Sequence, residues 1–504
     1  MPMKILNPSQ LKHVDEQTIA KQAISSWDLM QRASATVVAA LLEDHPDVLE
    51  KQDYILCGKG NNGGDGLAIA GLLKALGAAV DVYLIDAEPY SPDNLKNQEK
   101  LGDNNIRKFN LKDRIHFEED SMILDCLFGY GLSTALSSDW RNIIDQINTA
   151  SAVRISVDMP SGLSCETHIA VDSPIVKADK VYTFQVPKLN LLLPEYGKFS
   201  KSFRILDIGL DADAMDEQET NIHYLTANSV KSLVPIRSKF SHKGTFGHAL
   251  LIGGSYGKMG AVLLASKAAL RTGCGLVSVG IPYCGTNIIQ TAFPEAMVFA
   301  DTAELALRDF NFPTDLTAIG MGIGMGTDEL TIRGFAIYLQ SLSEDARLVL
   351  DADALNILAQ QESLLQALPP ETILSPHPKE LSRLIGAWDN DYEKLSKAKI
   401  FVAEHQVYLI IKGANSVLVC PDGKLYFNST GNPGMATGGS GDVLTGILTS
   451  LRAQGLSAKD AAVLGIYLHG LSGDFAVKDK GEASLIASDI IDHLANAFQH
   501  LLDS

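Results

Sequence analysis

Tyr54-Ile55-Leu56-Cys57-Gly58-Lys59-Gly60-Asn61-Asn62-Gly63-Gly64-Asp65-Gly66-Leu67-Ala68-Ile69-Ala70 is the stretch that decides how the first half of the chain folds. Tyr54-Ile55-Leu56 reads as a strand that runs into a glycine-rich turn. Leu67, Ile69, Ala70, Leu72, Leu73 and Leu76 then outline a largely buried helix, and Val80, Val82 and Leu84 alternate as the next strand. The sum is a β-turn-helix-β unit, the crossover that parallel sheets require. Met122-Ile123-Leu124 and Val153-Arg154-Ile155-Ser156-Val157 read as further strands, each running into an aspartate, Asp125 and Asp158.

Beyond Leu210 the pattern lapses into Asp211, Asp213, Asp216, Glu217 and Glu219, read as a solvated loop and linker over residues 210–224. The alternation then restarts. Ala249-Leu250-Leu251-Ile252, Leu276-Val277-Ser278-Val279, Ala318-Ile319, Leu348-Val349-Leu350 and Tyr408-Leu409-Ile410-Ile411 read as strands, and Gly260–Arg271 as a small-residue helix. The expected fold class is α/β: two three-layer α/β/α domains, residues 1–215 and 225–504. A chain of 504 residues is too long for one ordinary domain.

Composition narrows the function classes. With 60 acidic against 42 basic residues the net charge is −18, which repels phosphate backbones and excludes nucleic acid as a main partner. Six scattered cysteines without a C-x-x-C pair read as reduced thiols. The first ten residues lack the features of a signal peptide, and no apolar run reaches the length of about 18 residues that spans a bilayer. A cytoplasmic protein with no membrane partner is expected.

In open α/β sheets ligands bind beyond the carboxyl ends of strands, and the chemistry-bearing segments fall there. Gly438-Gly439-Ser440-Gly441-Asp442 lets backbone N–H groups approach an anion, and the apolar positions after Asp442 suggest a helix whose N-terminus favours a phosphoryl group. Asp442 then suits removal of a proton from an attacking hydroxyl. As plain structure it would cap the helix, worth about 1 kcal/mol. Asp351-Ala352-Asp353-Ala354-Leu355-Asn356, His377-Pro378-Lys379-Glu380, Lys412-Gly413-Ala414-Asn415-Ser416 and a turn at Gly320–Gly326 add polar groups at strand ends, and prolines on both sides hold His377 extended. Gly320–Gly326 lacks G-x-G-x-x-G spacing, and Gly257-Lys258 lacks the residues of a P-loop. In the first half, Gly60–Gly66 exposes donors suited to a pyrophosphate, while Asn62, Asp125, Asp158 and Ser161 offer oxygen ligands, which suit a hard cation rather than zinc.

As an ordered set these segments resemble two known families. Residues 225–504 resemble the ribokinase-like superfamily and, within it, the NAD(P)H-hydrate dehydratases, through Lys243-Gly244-Thr245-Phe246-Gly247-His248, Ile252-Gly253-Gly254-Ser255 and the motifs around Asp351, His377, Lys412 and Asp442. The resemblance implies that a nucleotide phosphorylates the C6 hydroxyl of the hydrate and that phosphate then leaves. Ala261, Gly324 and His377 would contact the hydrate, Lys412, Gly413, Ala414, Asn415, Ser416 and Gly441 the nucleotide, and Asp442 would be the base, with ADP and Mg²⁺ as the expected pair. Residues 1–215, Rossmann-like in fold, resemble the NAD(P)H-hydrate epimerase domain through N-N-G-G-D-G, D-x-x-x-G-x-G-L and V-D-x-P-S-G. This implies K⁺ held by Asn62, Asp125 and Ser161. Substrate would lie against Asn61, Asn62, Gly63, Gly64, Asp65, Gly129, Tyr130, Gly131, Leu132, Ser133, Thr134, Ala135 and Asp158, with Asp158 as the acid–base group. Tyr130 stands where that family usually has Thr, and Thr134 where bacterial relatives often carry Arg, which bears on how phosphate is held.

The implied activity is repair of hydrated NADH and NADPH (NADHX and NADPHX), and a homo-oligomer is expected. Two other readings stand beside it. A vitamin or sugar kinase would explain the G-x-G-D turn, and a scaffold would use the N-terminal domain to bind proteins.

Overall fold

The computed structural model describes residues 2–503. These divide into two compact units, Lys4–Thr220 and a second formed by the chain from Asn221 onward joined by the first residues.

In the first unit, helices α1 (Pro8–Gln22) and α2 (Ser26–Asp44) precede a sheet of seven parallel strands. These are β1 (Gln52–Cys57), β2 (Ala79–Ile85), β3 (Ile106–Phe109), β4 (Met122–Cys126), β5 (Val153–Val157), β6 (Lys180–Phe184) and β7 (Phe203–Leu206). They are ordered β3-β2-β1-β4-β5-β6-β7, a doubly wound arrangement whose strand order reverses between β1 and β4. Tyr54–Cys57 are all buried, as expected of a strand covered on both faces. Helix α3 (Asn61–Ala75) leaves β1 at that reversal and has only Gly60 as its N-cap, so no side chain occupies its first N–H groups.

Asp53 on β1 is wholly buried, and neither carboxylate oxygen meets a hydrogen-bond donor among the described residues. Burial pushes its carboxyl up to about 7, with Lys51 opposing. The folded state therefore holds this proton where the unfolded chain, titrating near 3.8, has released it. Its stabilising contribution is complete below the unfolded pKa and is lost as pH rises through about 7, a change of up to about 4 kcal/mol. Asp53→Asn is expected to raise the melting temperature of this unit at pH 8 and to change it little at pH 4. Equal shifts at both values in calorimetry would refute the assignment.

In the second unit the strands are β8 (Ile222–Tyr224), β9 (His248–Gly253), β10 (Leu276–Ile281), β11 (Met297–Ala300) and β12 (Ala318–Ile323). They continue as β13 (Leu348–Leu350), β14 (Ile373–Leu374), β15 (Tyr408–Ile411), β16 (Val417–Val419) and β17 (Leu425–Phe427). Their order is β8-β17-β16-β15-β14-β13-β12-β9-β10-β11, parallel except where β16 meets its two neighbours. Helix α4 (Met259–Thr272) follows β9, and α5 (Pro378–Ile385) follows β14. Helices α6 (Ser440–Ala453) and α7 (Ala458–Lys480) form the apolar centre, with Ile447, Leu451, Ala461, Leu464 and Leu468 fully buried.

Three local expectations change. The acidic stretch is not a plain solvated loop: Ala212–Asp216 is a short helix capped by Asp211, with Ala214 buried and Lys21 paired to Asp211 at 2.7 Å, and Ile222–Tyr224 joins a sheet. Gly320–Ile323 is strand rather than turn. Gly320 is small because a Cβ there would lie 2.2 Å from Thr449 Oγ1, where α6 crosses the sheet. The segment at His377 is not extended beyond its cap, since Pro378 starts α5 at a position where proline loses no hydrogen bond.

Candidate active sites

The first unit contains a cavity of about 1210 Å³ at the switch between β1 and β4. Asn61, Asn62 and Asp65 from α3, Gly129–Leu132, Thr134 and Ala135 after β4, and Asp158 after β5 all line it. Gly63, Gly64 and Ser133 do not; the two glycines are buried within the first turn of α3.

Asp158 sits at φ +68°, a left-handed conformation that an aspartate adopts at a cost of about 1 kcal/mol. Its N–H donates to Tyr182 O at 2.6 Å, which fixes the turn. One carboxylate oxygen accepts the Tyr130 N–H at 2.7 Å, and the other is paired with Lys188 Nζ at 2.6 Å. Lys188 also donates to Thr183 Oγ1 at 2.8 Å and Phe184 O at 3.0 Å, so its ammonium holds two hydrogen bonds beside the ion pair. Gly129 allows this closeness: a Cβ there would lie 2.9 Å from Asp158 Oδ2 and 3.2 Å from Asn62 Oδ1.

Beneath the cavity, Asp125 is fully buried and accepts from Ser156 Oγ at 2.7 Å, Ser161 N at 2.8 Å and Ser161 Oγ at 2.5 Å. Burial raises its carboxyl despite these donors. Ser161 Oγ in turn accepts the Phe128 N–H at 2.9 Å, and the Asn62 Nδ2 is buried without an acceptor among the described residues. The carboxylate and hydroxyl oxygens gathered here are ligands of the kind a hard cation takes, whereas the Asn62 amide nitrogen is a donor left without an acceptor among the described residues.

Two groups escaped the sequence reading. Lys188 follows Pro187 just beyond β6, in no recognisable motif. Asp15, on α1, accepts a hydrogen bond from Tyr130 Oη at 3.1 Å, and burial raises its carboxyl to about 6. Asp65 is also raised, first by burial and then by the charges of Asp158 and Asp15.

The second unit gathers its candidates around the first turn of α6. Lys412 Nζ forks onto both oxygens of Asp351 at 2.7 and 2.9 Å, and Thr445 Oγ1 donates to the same carboxylate at 2.8 Å. A Cβ on Gly441 would approach Lys412 Nζ to 3.2 Å, so the glycine leaves the ammonium room beside the start of α6. Asp442 lies one residue on, inside the helix rather than at its cap, which is Gly439. Burial and then the Asp351 charge raise its carboxyl to about 6, with Lys412 opposing. His469 on α7 meets Ser440 Oγ at 3.3 Å, and burial pushes its pKa down to about 4, which keeps the ring neutral.

The remaining candidates stand around this group. Ala261 Cβ is 3.2 Å from where a side chain on Gly324 would begin, so the two form one small wall. His377 caps α5 with Nδ1 accepting the N–H groups of Lys379 and Glu380, and Pro376 O accepts the Lys412 N–H at 3.1 Å. Ser416 Oγ closes the turn Gly413–Ser416 through Gly413.

Comparison with known proteins matches these two halves separately and together. Residues 26–190 match the family described as YjeF-related protein N-terminus, and residues 249–496 match NAD(P)H-hydrate dehydratase. A bifunctional NAD(P)H-hydrate repair enzyme of Moorella thermoacetica is 34% identical over 99% of this chain and 97% of its own length. A relative of the same description from Thermofilum pendens is 31% identical over 99% and 97%. A ribokinase-like superfamily protein of Enterococcus faecalis superposes with a TM-score of 0.51 at 24% identity, covering 57% of this chain and 99% of its own, a likeness of fold. The end-to-end match to such relatives, spanning both glycine-rich sites, means that the chain belongs to the family of bifunctional NAD(P)H-hydrate repair enzymes.

Proposed function

We propose that this protein restores hydrated NADH and NADPH. Residues 1–215 interconvert the R and S hydrates, and residues 225–504, beyond the acidic connection at 210–224, dehydrate the S hydrate with ADP, giving NAD(P)H, AMP and phosphate. The observation that carries the reading is the cluster of Asp442, Lys412, Asp351 and Thr445 at an uncapped helix N-terminus, in a chain that also has the Asp158 cavity.

In the dehydratase half, Asp442 takes the proton of the C6 hydroxyl as its oxygen bonds to the β-phosphorus of ADP and AMP departs. The phosphate ester then leaves C6 as the N1 lone pair forms the N1=C6 bond, and loss of a C5 proton completes the dihydropyridine. Lys412, Gly413, Ala414, Asn415, Ser416 and Gly441 would hold the nucleotide, and Ala261, Gly324 and His377 the hydrate. N–H groups of the α6 first turn favour the incoming anion. Mg²⁺ bound with the nucleotide would neutralise phosphate charge. In the epimerase half Asp158 is the acid–base group. Asn61–Asp65 and Gly129–Ala135 would hold the substrate, and K⁺ would be held by Asn62, Asp125 and Ser161, fixing the loop after β4. No helix among the described residues is long and apolar enough to cross a membrane. A cytoplasmic, homo-oligomeric enzyme belongs to this reading, in keeping with six free cysteines.

The test follows absorbance at 340 nm when mixed NADHX epimers meet the protein, Mg²⁺ and either ADP or ATP. Complete recovery of NADH with ADP, faster than spontaneous epimer exchange, is expected. A stable phosphorylated product would return the C-terminal half to a kinase, and recovery of one epimer's share alone would remove the epimerase.

A further inference from the structure

The cavity of the first unit is lined by carboxylates from several elements, and one residue bridges two of them, Asp15 and Asp158. Tyr130 donates its backbone N–H to Asp158 and its phenol to Asp15. Asp15 reaches the cavity from α1, whose Leu11, Val14 and Thr18 are buried. Asp158 is paired with the Lys188 ammonium, whereas no described cation pairs with Asp15. The charged and titratable groups facing Asp15 are Tyr130, Asp158 and Lys188 from the loops after β4, β5 and β6, Asp65 on α3, and Glu16 on its own helix. Paired acids in unlike environments divide the roles of proton donor and acceptor.

We propose that Asp15 is the second acid–base residue of this site, working opposite Asp158 in epimer exchange. The inference rests on the epimerase reading above. C6 of the hydrate bears a hydroxyl and the ring nitrogen N1. Asp158 takes the hydroxyl proton, the O–H electrons form C6=O, the C6–N1 bond breaks, and its electron pair on N1 takes the proton of Asp15. Rotation about C5–C6 presents the other face of the aldehyde. Return of N1 to C6 then reverses both transfers and leaves the inverted hydrate. Nothing is oxidised or reduced, and both carboxyls regain their starting protonation. The raised carboxyl of Asp15, near 6, keeps a protonated fraction available close to neutral pH.

The test measures exchange of one purified NADHX epimer between pH 5.5 and 8.5, without nucleotide, corrected for the spontaneous rate. Wild-type exchange should fall tenfold per pH unit above about 6 as Asp15 ionises. Asp15→Asn should lower the rate about a hundredfold or more and abolish that limb. Tyr130→Phe is the more telling variant. The phenol's hydrogen bond lowers the Asp15 pKa, so its removal should move the limb to higher pH whatever the change in the plateau rate. An unchanged limb in either variant overturns the proposal, because a merely structural role would not move it. Wild-type protein that exchanges no faster than buffer overturns the epimerase reading itself, a failure distinguishable from the other.

Discussion

Asp442→Asn is expected to lower nucleotide-dependent dehydration about a thousandfold while leaving epimer exchange intact, within the usual range for loss of a general base. Asp442 stands in the first turn of α6 beside the Lys412–Asp351 pair, where Lys412 opposes two larger effects, burial and then the charge of Asp351. Both raise its carboxyl to about 6, close enough to neutrality for it to accept a proton and still be ionised at pH 7.5. Dehydration should therefore rise with pH through about 6 and level off, the opposite of the limb expected for epimer exchange. Asparagine keeps the shape and removes the acceptor, so binding of ADP, followed by calorimetry, should change less than threefold. If the Asn variant retains more than a tenth of wild-type turnover, Asp442 is not the base. If ADP binding collapses with activity, Asp442 acts in binding instead.

What was legible in the sequence is what local chemistry encodes. The glycine-rich turns after β1 and before α6, and the aspartates at the ends of β4 and β5, lie where alternation and composition put them, because a strand, its turn and the following helix are contiguous. Lys188 and Asp15 were not legible. Neither belongs to a motif, and each becomes meaningful only when a separate element is folded over the same cavity. Short strands such as Ile106–Phe109 and Met297–Ala300 carry too few residues for period-two patterning to register. Gly320 misled for a physical reason, since a glycine that admits a packed helix looks the same in sequence as one that makes a turn.

Lys188→Met should have the largest effect on the first unit, abolishing epimer exchange and lowering local stability by about 3–5 kcal/mol. The side chains of Lys188 and Asp158 are 1% and 3% exposed, so methionine leaves a carboxylate in the same dry surroundings without its partner. Thr183 Oγ1 and Phe184 O lose a donor at the same time. Asp158 is held by its backbone hydrogen bond to Tyr182 in a left-handed turn, which ties the position of its carboxylate to the ends of β5 and β6. A buried lone carboxylate escapes its cost by taking up a proton, so the penalty in the variant should shrink as pH falls. Peptide-resolved hydrogen exchange on the whole chain would read it as faster opening of β5 and β6 with no change in the second unit. The double variant Lys188→Met with Asp158→Asn separates charge from packing. It should recover more than half of the lost stability while remaining inactive, because an amide needs no counter-ion but cannot exchange protons. If the double variant is no more stable than Lys188→Met alone, the ion pair is not what holds this turn, and the cost lies in the cavity that methionine fails to fill.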